Sequence, residues 1–237
     1  MGKDIEVAFS PELFPLFDSK DKIVVVIDIL RATSVICTMF ANGLEKLIPV
    51  KDLEEARAFK EKGYLVAAER NGNRLDFADF GNSPFLFTPD AVDGKTLVYS
   101  TTNGTNAINI GKDAHEVIIA SFLNISAVEK YLLRQDKDIV ILCAGWKGKF
   151  CLEDSVCAGA LSERLLNSGD YETICDSVKA SLDFWDLAKD DLMGYIQKVA
   201  QRERLRKLGL DEVIEYCHQL DQTEVIPYLN GKELLAK

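Results

Sequence analysis

Polar residues able to do chemistry follow directly after the most apolar stretch of the chain. Residues 23–27 are all valine or isoleucine, a composition typical of a strand buried on both faces in a parallel sheet. Asp28 ends this run, and Arg31, Thr33 and Ser34 come next. Since open α/β sheets bind ligands at the carboxyl ends of their strands, these side chains are candidates for a binding site. The alternative is a local Asp28–Arg31 ion pair with a hydroxyl capping the following helix.

A second polar cluster occupies the long loop of residues 69–84. It contains Arg70 near its start and Asn82 and Ser83 near its end. Loops of this length inside a compact domain are commonly functional or disordered, and two glycines with a Gly-Asn-Ser-Pro exit favour an ordered turn. An ordinary surface loop is the alternative interpretation.

A third cluster has the composition of an anion site. Its members are Ser100, Thr101, Thr102, Asn103 and Gly104. Hydroxyls, an amide and a flexible backbone directly before a predicted helix offer converging donors at the positive end of the helix dipole, an arrangement that binds phosphate or sulfonate. The segment lacks the lysine and the glycine spacing of a Walker loop. A helix cap with spare hydroxyls is the alternative.

A fourth cluster follows the predicted strand of residues 138–143. It contains Gly145, Lys147 and Lys149, and it ends in the acidic pair Glu153 and Asp154. The acidic pair lies in the first turn of a predicted helix, where the dipole stabilises negative charge, so simple capping explains it equally well. Neighbouring residues on a helix point about 100° apart, so we expect at most one of the two to face a given ligand. 

Cys143, which ends this predicted strand, invites interpretation as a nucleophile. No histidine lies near it in sequence, and its neighbours are apolar. A reactive thiol needs a base or a positive environment, so a cysteine-based hydrolase is disfavoured.

The elements that position these clusters alternate between strand and helix. Residues 1–90 predict a βαβαβ unit, and residues 91–172 repeat the same order at an offset of roughly 73 positions, without matching identities. From residue 152 onward the patterns are helical, and residues 173–237 predict C-terminal helices that pack on the two units. The predicted fold class is therefore α/β, with two similar lobes whose parallel or mixed sheets are covered by helices. No linker separates the lobes, so we expect the site in the cleft between them.

Composition restricts the partners of the protein. The chain has 237 residues, 47% of them hydrophobic, and a formal net charge of −10. A strongly acidic chain is a poor binder of nucleic acid or anionic lipid, so an anionic ligand requires a locally positive site, which a divalent cation can supply. With neither a membrane-length apolar run nor a signal-peptide pattern, we expect a cytoplasmic protein. Six cysteines without a C-x-x-C pair make a zinc site or disulfide framework improbable.

Taken together, the four clusters resemble one family. Residues 25–33, 80–84, 100–105, 143–145 and 152–154 are similar in type and order to the motifs of the 2-phosphosulfolactate phosphatase family, over nearly all of the chain up to Gly159. The resemblance implies a magnesium-dependent phosphatase that converts 2-phospho-3-sulfolactate to 3-sulfolactate and inorganic phosphate, a step of coenzyme M biosynthesis. It also implies two α/β lobes that exchange their C-terminal helices, and it leaves a homodimer open.

Hydrolysis of a phosphate monoester needs charge neutralisation, an oriented nucleophile and help for the leaving oxygen. On the implied reaction, Asp28 with Glu153 or Asp154 would hold Mg²⁺, and Arg31 would act beside Asp28 on the phosphoryl oxygens. Spacing leaves open whether Asp28 is a metal ligand, a general acid or base, or a covalent nucleophile. Arg70 with Lys147 or Lys149 would receive the sulfonate and carboxylate. The remaining candidate substrate-binding residues are Thr33, Asn82, Ser83, Ser100, Thr101, Thr102, Asn103, Gly104 and Gly145. The runner-up function is a non-catalytic α/β protein that binds a small anionic metabolite.

Overall fold

Strands and helices alternate through most of the chain. A computed structural model describes residues 2–237. Its strands are β1 (Lys3–Ala8), β2 (Ile23–Ile27), β3 (Lys46–Pro49), β4 (Leu65–Arg70), β5 (Asn73–Arg74), β6 (Thr96–Ser100), β7 (Glu116–Ala120), β8 (Ile139–Cys143), β9 (Tyr171–Glu172), β10 (Pro227–Asn230) and β11 (Glu233–Ala236). Its α-helices are α1 (Ala32–Ala41), α2 (Leu53–Glu61), α3 (Pro89–Val92), α4 (Gly104–Gly111), α5 (Ile125–Leu133), α6 (Leu152–Asn167), α7 (Asp176–Ala188), α8 (Leu192–Tyr195), α9 (Ala200–Arg206) and α10 (Asp211–Cys217).

An inner strand of the larger parallel group is β2. The strands form one sheet in the order β5-β4-β6-β3-β11-β10-β7-β2-β8-β1-β9. β2 pairs in parallel with β7 and β8, so that Val25 lies opposite both Ile118 and Ile141. All five residues of β2 are fully buried. A strand paired on both edges and covered on both faces must be apolar throughout, which explains its uninterrupted run of valine and isoleucine.

A hairpin near the carboxyl end of the chain joins this group to a second parallel group of β3, β4 and β6. β10 and β11 pair antiparallel. β10 also pairs with β7 through Tyr228 and Ile118, and β11 pairs with β3 through Leu234 and Leu47. The two-residue loop of the hairpin begins at Gly231, whose φ is 63°. Glycine at the first position of such a loop suits the twist of a tight hairpin.

Two apolar cores lie on opposite faces of β2. Val25 packs in a core with α5, α6 and α7, whereas Val24 and Val26 pack in a second core with α1 and α4. The second core also contains Leu47 of β3 and Leu97 of β6. The two parallel groups therefore face each other across α1 and α4, and the chain segments after β2 and β6 come together at one edge.

The predicted α/β class is confirmed, and the helical pattern predicted from residue 152 onward begins at that residue as α6. The two-lobe arrangement is not confirmed, because strands of the two stretches alternate within one sheet and β2 lies between β7 and β8. The division into residues 1–90, 91–172 and 173–237, with exchange of the C-terminal helices, stays a prediction. The last stretch contains the predicted helices, and it also contains the hairpin that the sequence analysis missed. Within residues 2–237, every helix is too short or too polar to cross a membrane.

Candidate active site

Asp28 directly follows β2, and its carboxylate is held by the first turn of α1. Its backbone N–H donates to Thr33 Oγ1, and that hydroxyl donates to the Asp28 carbonyl oxygen, both at 3.0 Å. The Ala32 N–H donates to Asp28 Oδ1 at 3.2 Å. Oδ2 accepts no hydrogen bond from any group in residues 2–237. The side chain is only 7% exposed, so one fixed carboxylate oxygen remains available to a ligand.

A cleft of about 360 Å³ opens beside this oxygen. Its walls come from the segments that follow β2, β4, β6 and β8, and α9 with the residues after it closes one side. The lining residues are Asp28, Leu30, Arg31, Glu69, Asn71, Gly72, Asn82, Thr101, Thr102, Asn103, Trp146, Lys147, Gln201, Arg204, Leu205, Lys207 and Leu208. Strand ends therefore meet at one cleft, as expected for an open α/β sheet.

The segment between β6 and α4 presents backbone donors beside Asp28. Thr101 and Thr105 each accept the other's backbone N–H through their hydroxyls, which fixes the turn. The N–H groups of Asn103 and Gly104 donate to no acceptor within residues 2–237. A Cβ atom added at Gly104 would lie 2.9 Å from Asp28 Oδ2, so glycine permits the close approach of this helix end to the carboxylate. Two free amides at the start of a helix form an anion-binding site.

Glu69 braces this donor segment from the end of β4. Its Oε1 accepts from the Thr102 N–H at 2.9 Å and from the Thr102 hydroxyl at 3.1 Å. Its Oε2 accepts from the Gly72 N–H at 2.7 Å. The side chain is 6% exposed. Glu69 therefore holds two loops of the cleft in register and takes up one of the amides that an anion would otherwise use.

Asp154 performs a similar task between β2 and β8. Its Oδ1 accepts from the Ile29 N–H at 2.9 Å, and its Oδ2 accepts from the Gly145 N–H at 3.1 Å. Both oxygens are thus engaged by backbone, and the side chain is buried. Glu153, the preceding residue, is buried as well and lines a neighbouring cavity with Lys149 and Arg204.

Burial dominates the titration of the acidic groups. It raises the pKa of Asp28 to about 7, and repulsion from Glu153 and Glu69 adds to the rise, against the hydrogen bond from Ala32 and the charge of Arg31. Burial also raises the pKa of Glu153 and, with repulsion from Glu153 and Asp28, raises that of Asp154 well above its ordinary value. Three carboxyl groups that destabilise one another's ionised forms lie around this strand end.

The cleft is nevertheless locally rich in positive charge. Arg31 is buried, its peptide bond with Leu30 is cis, and its Nη2 donates to the Gly72 carbonyl oxygen at 3.4 Å. Within residues 2–237, Arg31, Lys147 and Arg204 make no ion pair with a carboxylate. In a chain of net charge −10, three unpaired cations at one cleft favour an anionic ligand.

The sequence-predicted residues fall into two groups. The cleft lining includes Asp28, Arg31, Asn82, Thr101, Thr102, Asn103 and Lys147. The structure places outside the lining Thr33, Arg70, Ser83, Ser100, Gly104, Gly145, Lys149, Glu153 and Asp154. Of these, Arg70 donates to the carbonyl oxygens of Glu69, Lys51 and Ser100 and to the Ser100 hydroxyl, so its guanidinium is engaged by protein. The role of each stays a prediction.

Six lining residues with polar side-chain atoms were not among the predicted site residues: Glu69, Asn71, Trp146, Gln201, Arg204 and Lys207. Glu69, Asn71 and Trp146 lay inside the predicted clusters without a role. The other three lie in or directly after α9, where residues 202–207 carry four basic side chains in an otherwise acidic protein. That local charge reversal was the available signal.

No group of three or more histidine, cysteine, aspartate or glutamate side chains in residues 2–237 is arranged to hold a metal ion by itself. Mg²⁺ commonly needs only one or two carboxylates, with waters and substrate oxygens completing its octahedron. The unbonded Oδ2 of Asp28 and the repulsion between Asp28 and Glu153 fit such a partial site. Asp154 fits it less well, since both of its oxygens accept backbone hydrogen bonds.

Comparison with known proteins gives a consistent result. The family model described as 2-phosphosulpholactate phosphatase matches residues 8–232. A protein of Caldanaerobacter subterraneus named probable 2-phosphosulfolactate phosphatase is 41% identical over 218 residues, which cover 90% of each chain. A Thermotoga maritima protein of the same printed name is 38% identical over 214 residues, 90% of this chain and 92% of the other. One from Clostridium acetobutylicum is 36% identical over 219 residues, 91% and 93% of the two chains.

Proposed function

The chain belongs to the 2-phosphosulpholactate phosphatase family of phosphoric monoester hydrolases, and we propose that it hydrolyses 2-phospho-3-sulfolactate with Mg²⁺ as cofactor. The products are 3-sulfolactate and inorganic phosphate, and the reaction is a step of coenzyme M biosynthesis. Asp28 carries this proposal, because its fixed and unbonded Oδ2 lies beside free helix amides in a cleft of unpaired cations. These groups supply the charge neutralisation that transfer of a phosphoryl group to water requires.

The donors around Asp28 would bind the phosphoryl group of the substrate. The Asn103 and Gly104 amides donate to the phosphoryl oxygens at the positive end of α4, and the Arg31 guanidinium neutralises a further phosphoryl charge. Asn82 lies nearby, and its Oδ1 accepts from the Tyr99 hydroxyl at 2.5 Å, which fixes the amide in one orientation. Its NH₂ group is then directed away from Tyr99 and is able to donate to the substrate.

The cofactor would be held by Asp28 Oδ2 with Glu153 as a second carboxylate. When bound, Mg²⁺ withdraws charge from the phosphoryl oxygens and from the leaving oxygen. Without a cation, the raised pKa of Asp28, about 7, leaves its carboxyl group partly protonated at neutral pH, so binding of a cation there would release that proton to solvent. Thr33, Ala32 and Asp154 hold the two strand ends, so the carboxylate does not need to rearrange during the reaction.

The deciding experiment measures phosphate release from 2-phospho-3-sulfolactate with Mg²⁺ and after chelation. We expect release that depends on Mg²⁺ and falls at least about a hundredfold in Asp28→Asn, which keeps the shape but removes the charge. Asp79→Asn is the matched control, since Asp79 also accepts a backbone N–H, from Val66 at 2.9 Å, but lies outside the cleft lining. Its kcat/KM should remain within about threefold of the wild type.

A non-catalytic protein that binds a small anionic metabolite would use the same cleft. It predicts binding of 2-phospho-3-sulfolactate by calorimetry without phosphate release at any Mg²⁺ concentration. Binding with no release would therefore refute the proposed activity. Equal release by the wild type and Asp28→Asn would refute the assigned role of Asp28.

A further inference from the structure

Arg204 enters the cleft from α9 with its guanidinium already oriented. Leu205, 1% exposed, anchors α9 in the core that covers one face of β2. Arg204 Nε donates to Gln201 Oε1 at 2.7 Å, one turn earlier in the chain. The guanidinium carbon lies 3.8 Å from the centre of the Trp146 ring, a stacked cation–π arrangement. Two contacts from different segments thus fix the plane of this side chain.

The two terminal nitrogens of Arg204 are left without a partner. Nε makes the one hydrogen bond that Arg204 donates within residues 2–237. No carboxylate in that range lies at ion-pair distance from Arg204, and Glu153, which lines the adjoining cavity, acts on it only through space. An oriented guanidinium fork with both Nη groups free matches the paired oxygens of a carboxylate or sulfonate.

A second cation meets Arg204 at the same indole ring. Lys147 Nζ lies 4.7 Å from the centre of the Trp146 ring. Two like charges at one ring repel each other, and a bound oxyanion that neutralises either of them lowers that repulsion. The Lys147 N–H also donates to Asn103 Oδ1 at 2.9 Å, so the Trp146 turn is tied to the loop that carries the helix amides.

The phosphoryl group already has its own donors at Asp28, from Arg31 and the two amides at the start of α4. Resting on the proposed function, we propose that Arg204 is a specificity-determining residue that binds a second oxyanion of the substrate, a carboxylate or a sulfonate. Gln201 and Trp146 are its positioning residues. The enzyme then prefers phosphate monoesters with an acidic group near the ester carbon over neutral ones.

The test compares kcat/KM for 2-phospho-3-sulfolactate and glycerol 2-phosphate, which has no second oxyanion. Arg204→Gln should lower kcat/KM for 2-phospho-3-sulfolactate about 10- to 100-fold, mainly through KM, and change kcat/KM for glycerol 2-phosphate less than about threefold. For 2-phospho-3-sulfolactate, kcat/KM of Arg204→Lys should lie between those of the wild type and Arg204→Gln, because lysine keeps the charge and loses the fork. Arg206→Gln is the control on the same helix, since Arg206 is exposed and pairs with Asp211 at 3.5 Å.

Equal losses on both substrates would assign Arg204 to the phosphoryl group and overturn the proposal, and so would no loss on either. 2-Phospholactate and 2-phosphoethanesulfonate carry one candidate oxyanion each. Dependence on Arg204 with either supports the proposal and identifies the group, whereas dependence with neither overturns it. If the wild type hydrolyses none of these esters, the proposed function fails. Calorimetry with 3-sulfolactate then tests the role of Arg204 without hydrolysis. Binding weakened at least about tenfold in Arg204→Gln supports the role of Arg204, and unchanged binding overturns it.

Discussion

Glu69→Gln should loosen the cleft without changing the shape of the side chain. Glu69 accepts backbone N–H groups from Thr102 and Gly72 on its two carboxylate oxygens, and glutamine has only one such oxygen. One amide is then opposed by the glutamine NH₂ and left without an acceptor. A buried donor in that condition costs about 1–3 kcal/mol. For a chain of this size, about 2 kcal/mol lowers Tm by roughly 4–8 °C.

Kinetics test whether this brace serves the active site. Displacement of the Thr102 segment misplaces the free amides beside Asp28, so we expect kcat/KM for phosphate release to fall roughly 10- to 100-fold. The control is again Asp79→Asn, which keeps one amide oxygen for the Val66 N–H but loses the ion pair with Lys60, outside the cleft lining. It should lower Tm with kcat/KM nearly unchanged. The reasoning is refuted if both variants lose the same activity, or if Glu69→Gln keeps wild-type Tm and kinetics.

Two further predictions concern Gly104 beside Asp28 and the buried His218. In Gly104→Ala the new methyl group would overlap Ala32 Cβ and lie 2.9 Å from Asp28 Oδ2, so the first turns of α1 and α4 must move apart. Phosphate release should fall at least about tenfold and Tm should fall as well, and wild-type kcat/KM would contradict this. His218 donates through Nδ1 to the Ile214 carbonyl oxygen at 2.7 Å, its Nε2 is buried without a partner, and burial lowers its pKa to about 4. Because the unfolded chain takes up this proton below pH about 6.5 and the folded protein does not until about 4, His218 removes up to about 3 kcal/mol of stability as pH falls through that window. The free energy of unfolding in urea should depend less on pH in His218→Asn, which retains a donor, than in the wild type. Parallel curves of this free energy against pH for the two proteins would refute the prediction.

The parts of the site that sequence could predict are those fixed by local chain order. Asp28 follows an apolar run long enough to be a buried strand, and residues 100–104 combine small polar side chains with a helix start. In α/β folds both features lie at strand ends, so their meeting was foreseeable. The family resemblance, carried by the same segments, is confirmed by the match over residues 8–232.

What sequence could not supply are the contacts made between distant segments. Thr102, which donates to Glu69, is 33 positions away from it in the chain. Arg204 contacts Trp146 because α9 packs on a core shared by several helices. Such pairs depend on tertiary geometry and leave no periodic pattern. The hairpin of β10 and β11 differs, because its glycine-containing two-residue loop between short apolar segments was a readable signal.

Unpaired cations explain how an acidic protein can offer an anion site here. Lysines such as Lys22, Lys60 and Lys237 pair with carboxylates and add little to the field of the cleft. Arg31 and Arg204 have no such partners, and Glu69 satisfies the Thr102 amide internally, leaving the Asn103 and Gly104 amides as donors. Amides alone would suit any small anion. Several cations in the lining of one cleft instead favour a ligand with more than one oxyanion, which is the charge pattern of a phosphorylated sulfonic acid.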